Sequence, residues 1–273
     1  KLGLELDALH AEHPRLISMS ISGFAEDGPG HHRKAYDLLM QAESGLSAIT
    51  GSHHAAGRVG VSLVDIATGQ FAYEAILGAL IQRGQNERGA KLSVSLFDAV
   101  AQWLAVPYLL DRYGGAAPKR VGLAHPGICP YGVVTAQCGQ DFVLSVQNER
   151  EWGRLCEIGI ARADLLDDDR CADNQTRVAN RDFVDDAVRD AVARLAYTEV
   201  QERFEQADLA FAPVNNISTL KSHPDFHTVP VTVGETTVEL PRVPGAPWLP
   251  DSLNRVPELG AHTQEILARV PKS

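Results

Sequence analysis

Four cysteines in 273 residues, at positions 129, 138, 156 and 171, leave spacings of 9, 18 and 15 that fit neither a zinc knuckle nor a paired-thiol redox motif. They read as reduced thiols. No Lys/Arg run exceeds two residues and the formal net charge is −10, so the concentrated basic face that nucleic acid or an anionic membrane requires is missing. The apolar stretch from Ala99 to Leu110 is interrupted by Gln102 and Pro107 and falls short of a bilayer span. Neither nucleic acid nor a membrane is expected as a partner. Lys1 to His10 carries Glu5 and Asp7 and no apolar run, unlike a signal peptide, and with the thiols this sets the expected location as the cytoplasm. There is no G-x-G-x-x-G fingerprint, no phosphate-binding Walker loop and no internal repeat. Ten histidines include the pairs His31-His32 and His53-His54, but adjacent side chains diverge and both pairs fall in glycine-rich sequence, so no metal site is expected.

What the chain does contain is a composition 44% hydrophobic, enough for one large or two modest cores. Its first third alternates in pattern. Residues 4–10 read as helix, Arg15 to Ser22 as a buried strand, Tyr36 to Ile49 as helix, Arg58 to Val64 as strand, Ile66 to Arg83 as helix, Lys91 to Leu96 as strand and Phe97 to Tyr113 as helix. That rhythm predicts a parallel, Rossmann-like α/β sheet, whose ligands gather at the carboxyl ends of the strands. A Gly/Pro/Lys-rich break at 114–122 precedes short strands at Tyr131 to Thr135 and Asp141 to Val146, polar helices to about Asp208, and a hairpin of Thr228 to Val233 and Thr236 to Leu240 around Gly234-Glu235. The expected division is a large α/β domain over 1–121, a smaller α+β domain over 122–240, and a proline-rich linker with a final helix over 241–273.

Asp65 follows the β-branched run Arg58 to Val64 and precedes a helical run, so it is expected at a strand-to-helix corner. Free N–H groups and the positive end of the helix dipole favour an ionised carboxylate there. Such a group is a weak base at pH 7, yet it can attack an activated acyl carbon. The plain alternative is a helix N-cap, a common duty for Asp.

Four blocks set the context. Lys34-Ala-Tyr-Asp-Leu-Leu-Met-Gln-Ala-Glu-Ser-Gly45, Val59-Gly-Val-Ser-Leu-Val-Asp-Ile-Ala-Thr-Gly69, Gly89-Ala-Lys-Leu-Ser-Val-Ser-Leu-Phe-Asp-Ala99 and Gly122-Leu-Ala-His-Pro-Gly-Ile-Cys-Pro-Tyr131 resemble, in order and spacing, the class III (CaiB/BaiF, formyl-CoA transferase-like) CoA-transferases. The tail Leu259-Gly-Ala-His-Thr-Gln-Glu-Ile-Leu267 is similar to that family's ending, with Ala261 where an acidic residue is usual. The likeness lies nearest to members handling short branched or unsaturated dicarboxylates such as mesaconate, itaconate or citramalate. Relatives carry roughly a hundred further residues ahead of the matched region, including much of the CoA surface, so a competent CoA site is not expected from these residues alone. The resemblance implies an interlocked homodimer whose last segment returns to the large domain.

For function, the resemblance implies transfer of coenzyme A between carboxylates, with acyl-CoA and a small carboxylic acid as substrates and no metal. Asp65 aligns with the catalytic aspartate, which carries an acyl anhydride and then a CoA thioester. Backbone N–H groups at the start of the 67–83 helix would stabilise oxyanion charge. Lys34 matches a lysine on the CoA phosphates, with Arg33 and Tyr36 as neighbours in the CoA site. Racemases of the same superfamily carry His at the position of Tyr36, and a phenol with pKa near 10 is poorly suited to proton abstraction beside a thioester, which favours transfer. His125 and Tyr131, held in a Pro/Gly-constrained loop, are candidates for the acceptor carboxylate, as is Glu43 one turn beyond Met40. The run Asp167 to Asp169 reads as solvated loop. Two rival readings remain, a 2-methylacyl-CoA racemase and a non-catalytic subunit of a heteromeric transferase.

Overall fold

The helix and strand alternation of the first third is present, with one strand fewer than its periodicity predicts. The computed structural model describes residues 5–245 and 255–270, and the chain divides into two compact units, 1–213 and 214–273. In the first unit, helix α1 (Leu6–Glu12) leads to strand β1 (Ile17–Ser22), followed by helices α2 (Asp37–Glu43), α3 (Leu46–Ile49) and α4 (Leu63–Asn86), strand β2 (Ala90–Ser95), and helices α5 (Leu96–Trp103) and α6 (Ala105–Tyr113). Strands β1 and β2 pair in parallel, Ile17 opposite Ala90 and Ser22 opposite Ser95.

Residues 58–62 form no strand. A β-branched run needs a neighbouring ladder to satisfy its amides, and here the Val59 N–H goes instead to the Gln41 side chain at 2.9 Å while Leu63 N–H turns back to the Val61 carbonyl. The following helix therefore starts at Leu63, earlier than its pattern suggests. The expected helix 36–49 is divided at Gly45, whose φ of 91° glycine alone adopts readily. The expected helix 97–113 is also divided. Pro107 has no N–H and its ring would strike the carbonyl four residues back, so the chain breaks at Leu104 and Pro107 sits harmlessly in the first turn of α6.

Between α6 and the end of the first unit lie β3 (Tyr131–Thr135), β4 (Asp141–Ser145), α7 (Glu149–Arg154) with a π-helical turn to Gly159, α8 (Asn174–Ala179), α9 (Arg181–Val192), α10 (Tyr197–Gln206) and β5 (Ala210–Pro213). The strands form an antiparallel sheet in the order β3-β4-β5. Alternation along β4 buries Phe142 and Leu144, and these join Trp152, Leu155, Val184, Val188, Val200 and Phe204 in the principal core. A second, smaller core joins Met40, Val64 and Val100 from α2, α4 and α5. The second unit contains α11 (Ile217–Leu220), the hairpin β6 (Thr228–Val233) and β7 (Thr236–Pro241), β8 (Arg255–Val256) parallel to β6, and α12 (Thr263–Arg269). Gly234 takes a φ of 59° at the expected hairpin turn. Most of the proline-rich linker lies outside the described residues, and the expected final helix appears as α12.

α4 is long and apolar enough to cross a membrane by length and composition, and it is the one such helix among the described residues. Its packing is that of a sheet-covering helix: small residues, Ala67, Thr68, Ala72 and Ala79, form its buried face.

One buried cation fastens the approach to the antiparallel sheet. Arg177, 1% exposed, donates to the Cys129 carbonyl at 2.9 Å, to the Cys171 carbonyl at 3.1 Å and to both oxygens of Glu149 at 2.7 and 2.8 Å. Replacing it orphans two carbonyls, while Glu149, half exposed, can rehydrate. Arg177→Met should therefore lower the unfolding free energy by about 3 kcal/mol. The check is the denaturant midpoint at unchanged slope; a midpoint equal to wild type would refute the assignment.

Candidate functional site

Helix α4 runs back across the sheet before β2, so its N-terminus lies at the carboxyl end of both parallel strands. Phe71 and Ala75 of α4 line one groove with Ser93, Val94 and Ser95 at the end of β2. Asp65, six residues earlier, stands roughly 9 Å beyond them along the helix axis. It occupies the edge where open α/β sheets collect ligands, although the predicted strand before it is irregular.

Asp65 is the third residue of α4, and Ser62, at the cap position, makes no side-chain cap. The N-cap alternative for Asp65 thus does not hold. The capping is done from elsewhere: the buried Asp37 carboxylate on α2 accepts the Val64 N–H at 2.8 Å. Its other oxygen accepts from the Gln41 amide at 2.7 Å, and the Gln41 carbonyl oxygen accepts the Val59 N–H at 2.9 Å. Gln41 is fully buried. Neither Asp37 nor Gln41 was among the residues that sequence reasoning selected. The available signal was an i,i+4 polar pair on a helix whose intervening Met40 is a core residue.

Val64 points into the small core while Asp65, its neighbour, is exposed. Among the described residues the Asp65 carboxylate has no hydrogen bond or ion pair, which leaves both oxygens available to a ligand. Leu63 N–H donates to Val61, Val64 N–H to Asp37 and Ile66 N–H to Ser62, so among the described residues the one amide left open in the first turn is that of Asp65, rather than a group near 67. Tyr36, 68% exposed, precedes Asp37. Tyr36 and Asp65 thus flank the two ends of a single hydrogen bond, and Lys34, exposed and without a side-chain partner among the described residues, lies two residues before Tyr36.

Arg33 and Glu43 are brought together differently. They form a bidentate ion pair at 2.6 and 2.7 Å, with the Arg33 guanidinium also 4.7 Å from the Phe24 ring centroid. Their hydrogen bonds raise the Arg33 pKa and lower that of Glu43. Each therefore has the other as its partner, and either must leave it to meet a ligand.

His125 and Tyr131 stack at 5.4 Å and 16°. The His125 Nδ1 accepts the Gly127 N–H at 3.1 Å, and its backbone N–H donates to the Tyr131 carbonyl. His125 lines a cleft of about 620 Å³ together with His53, Lys119, Arg181 and Arg189. No hydrogen bond or ring contact links this pair to Asp65. Beside them, Cys129 is buried next to Asp185, and desolvation followed by that negative charge pushes its thiol up to about 12. Desolvation pushes Cys156 likewise to about 12 and raises Cys171. Raised thiols are protonated, and hence inert, across the physiological range. Iodoacetamide at pH 8 should label Cys138 alone in the native protein and all four thiols after denaturation; native labelling of Cys129 by peptide mass spectrometry would contradict the packing.

With that geometry in view, residues 1–263 match the profile of CoA-transferase family III. The chain is 30% identical to a succinate--glutarate CoA-transferase of Agrobacterium fabrum, over 99% of this chain and 69% of that protein. It is 32% identical to succinyl-CoA:glutarate CoA-transferase of Mus musculus, over 99% of this chain and 63% of that protein. A CAIB/BAIF family protein from Brucella suis has a solved structure similar to this one at a TM-score of 0.81 and 28% identity, covering 97% of this chain and 71% of that one. The chain thus spans about two thirds of the length of these relatives.

Proposed function

The chain belongs to CoA-transferase family III, and from that premise we propose that it transfers coenzyme A between short dicarboxylic acids with Asp65 as nucleophile. One observation carries the proposal: an exposed, unpaired carboxylate in the first turn of the sheet-covering helix, at the carboxyl edge of a parallel sheet. An Asp65 oxygen attacks the thioester carbonyl carbon, the C–S bond breaks, and the CoA thiolate leaves a mixed anhydride. The thiolate then attacks the Asp65 acyl carbon, releasing the donor carboxylate and forming an aspartyl-CoA thioester. The acceptor carboxylate displaces the thiolate from that carbon, and the thiolate completes the cycle by taking the acceptor's acyl group. Every step is acyl exchange and the chemistry asks for no metal.

Lys34 supplies an unpaired cation for the CoA phosphates, with Arg33 available once released from Glu43. His125 and Tyr131 offer an imidazole and a phenol to an acceptor carboxylate. The substrate class is supported by the similarity to the two glutarate CoA-transferases and by the likeness to transferases of mesaconate, itaconate and citramalate. Tyr36 stands against the racemase reading, because a phenol is a poor base at pH 7. Four unpaired thiols suit a reducing cytoplasmic setting. An interlocked homodimer would cover the large apolar side chains that α4 leaves exposed, Ile66, Tyr73, Leu77, Leu80 and Ile81.

Asp65→Asn should reduce turnover by more than about 10³-fold without unfolding the enzyme. Lys34→Ala should raise the KM for acyl-CoA by about tenfold with little change in kcat, the mark of a lost binding contact. With succinyl-CoA as donor, glutarate and the C4–C5 unsaturated or branched dicarboxylates should serve as acceptors; exclusive use of a monocarboxylate or aromatic acid would end the dicarboxylate assignment. Racemase activity would appear as exchange of the α-proton with deuterated solvent in the absence of an acceptor, and none is expected.

A further inference from the structure

Resting on the reading of Asp65 as nucleophile, we propose that the buried Asp37–Gln41 pair is the positioning element for that nucleophile, holding the head of α4 in register through the Val64 N–H. Three observations converge on it. The local cap is absent: Ser62 makes no side-chain hydrogen bond to its helix. A carboxylate 27 residues away in sequence takes its place at 2.8 Å, on the amide immediately before Asp65. Finally, the same pair reaches through Gln41 to the Val59 N–H, so one relay fixes both the approach to the helix and its first turn.

Burying a carboxylate in this manner is costly unless its lone pairs are filled, and a helix N-terminus is a place where negative charge is favoured. The relay meets both conditions. It also has a strict donor and acceptor order. The two backbone amides at its ends are donors, so each end must present an oxygen; between them, one side chain must donate to the other. Asp37 with Gln41 satisfies this with one amide in the pair. Two amides cannot, because placing both oxygens at the ends sets one NH₂ against the other. Two carboxylates cannot either, because no proton lies between them. The exchanged pair, Asn at 37 and Glu at 41, satisfies it again with the same net charge.

That logic supplies the test. In the active enzyme, Asp37→Asn should lower kcat by about 10- to 100-fold while the KM for acyl-CoA stays within about twofold, because a nucleophile displaced by a fraction of an ångström loses the acyl step rather than the binding. The double variant Asp37→Asn with Gln41→Glu should return kcat to within about threefold of wild type. A role confined to folding would instead lower the thermal midpoint and the active fraction together and leave kcat per folded enzyme unchanged. Wild-type kcat in folded Asp37→Asn overturns the proposal, as does a folded double variant whose kcat stays at least tenfold down. Should Asp37→Asn fail to fold, the double variant decides alone. Asp65→Asn measured alongside separates the two levels: substantial turnover there overturns the nucleophile reading, whereas its inactivity beside an unimpaired Asp37→Asn overturns only the positioning role.

Discussion

The Asp37 carboxylate meeting the Val64 N–H is the constraint on which this end of the molecule depends. It joins α2 to α4 where a helix start would otherwise leave amides unsatisfied, and it lies in a layer where Met40, Val64 and Val100 exclude water. Orientation follows from it. With Val64 held inward, Asp65 lies one step round the helix and is exposed. For the proposed nucleophile, freedom from partners is compatible with a fixed position only if the backbone beneath it is held by something else. Asp37 and Gln41 hold that backbone without touching the Asp65 carboxylate.

The two parts of the first unit achieve rigidity by different means. Around the parallel strands, the core is small and polar relays complete it. Around the antiparallel sheet, a continuous apolar core runs from Phe142 to Phe204 and a buried guanidinium, Arg177, gathers the carbonyls of Cys129 and Cys171. The segment bearing His125 and Tyr131 is thus anchored by a well-packed body, while the segment bearing Lys34, Tyr36 and Asp65 is anchored by a few directional bonds.

Much of this was legible in the sequence where the cause is local. Strand β3 runs from Tyr131 to Thr135 as its pattern reads, the hairpin turn at Gly234 follows from glycine's freedom, and family membership follows from four blocks in register. What was not legible depends on partners distant in sequence. The run at 58–62 has strand-like residues, but its amide finds a side chain from α2 instead of a ladder. The break at Leu104 needed the reach of Pro107 to be counted backwards by one turn. Asp65, singled out by an expected strand-to-helix corner and by motif likeness, has no strand before it, yet its place at the carboxyl edge survives because chain direction through α4 and β2 fixes it. Asp37 and Gln41 went unselected since buried polar pairs declare themselves only when their acceptors are seen. Arg33 and Glu43, chosen as separate ligand contacts, proved to be one ion pair.

On the proposed mechanism, Asp65 becomes covalently acylated during turnover. The most direct measurement is peptide mass spectrometry of enzyme incubated with acyl-CoA and quenched with hydroxylamine or borohydride. A hydroxamate or a reduced alcohol is expected at Asp65, dependent on acyl-CoA and missing in Asp65→Asn. An enzyme that turns over while Asp65 remains unmodified, or one in which another carboxylate carries the label, would contradict it.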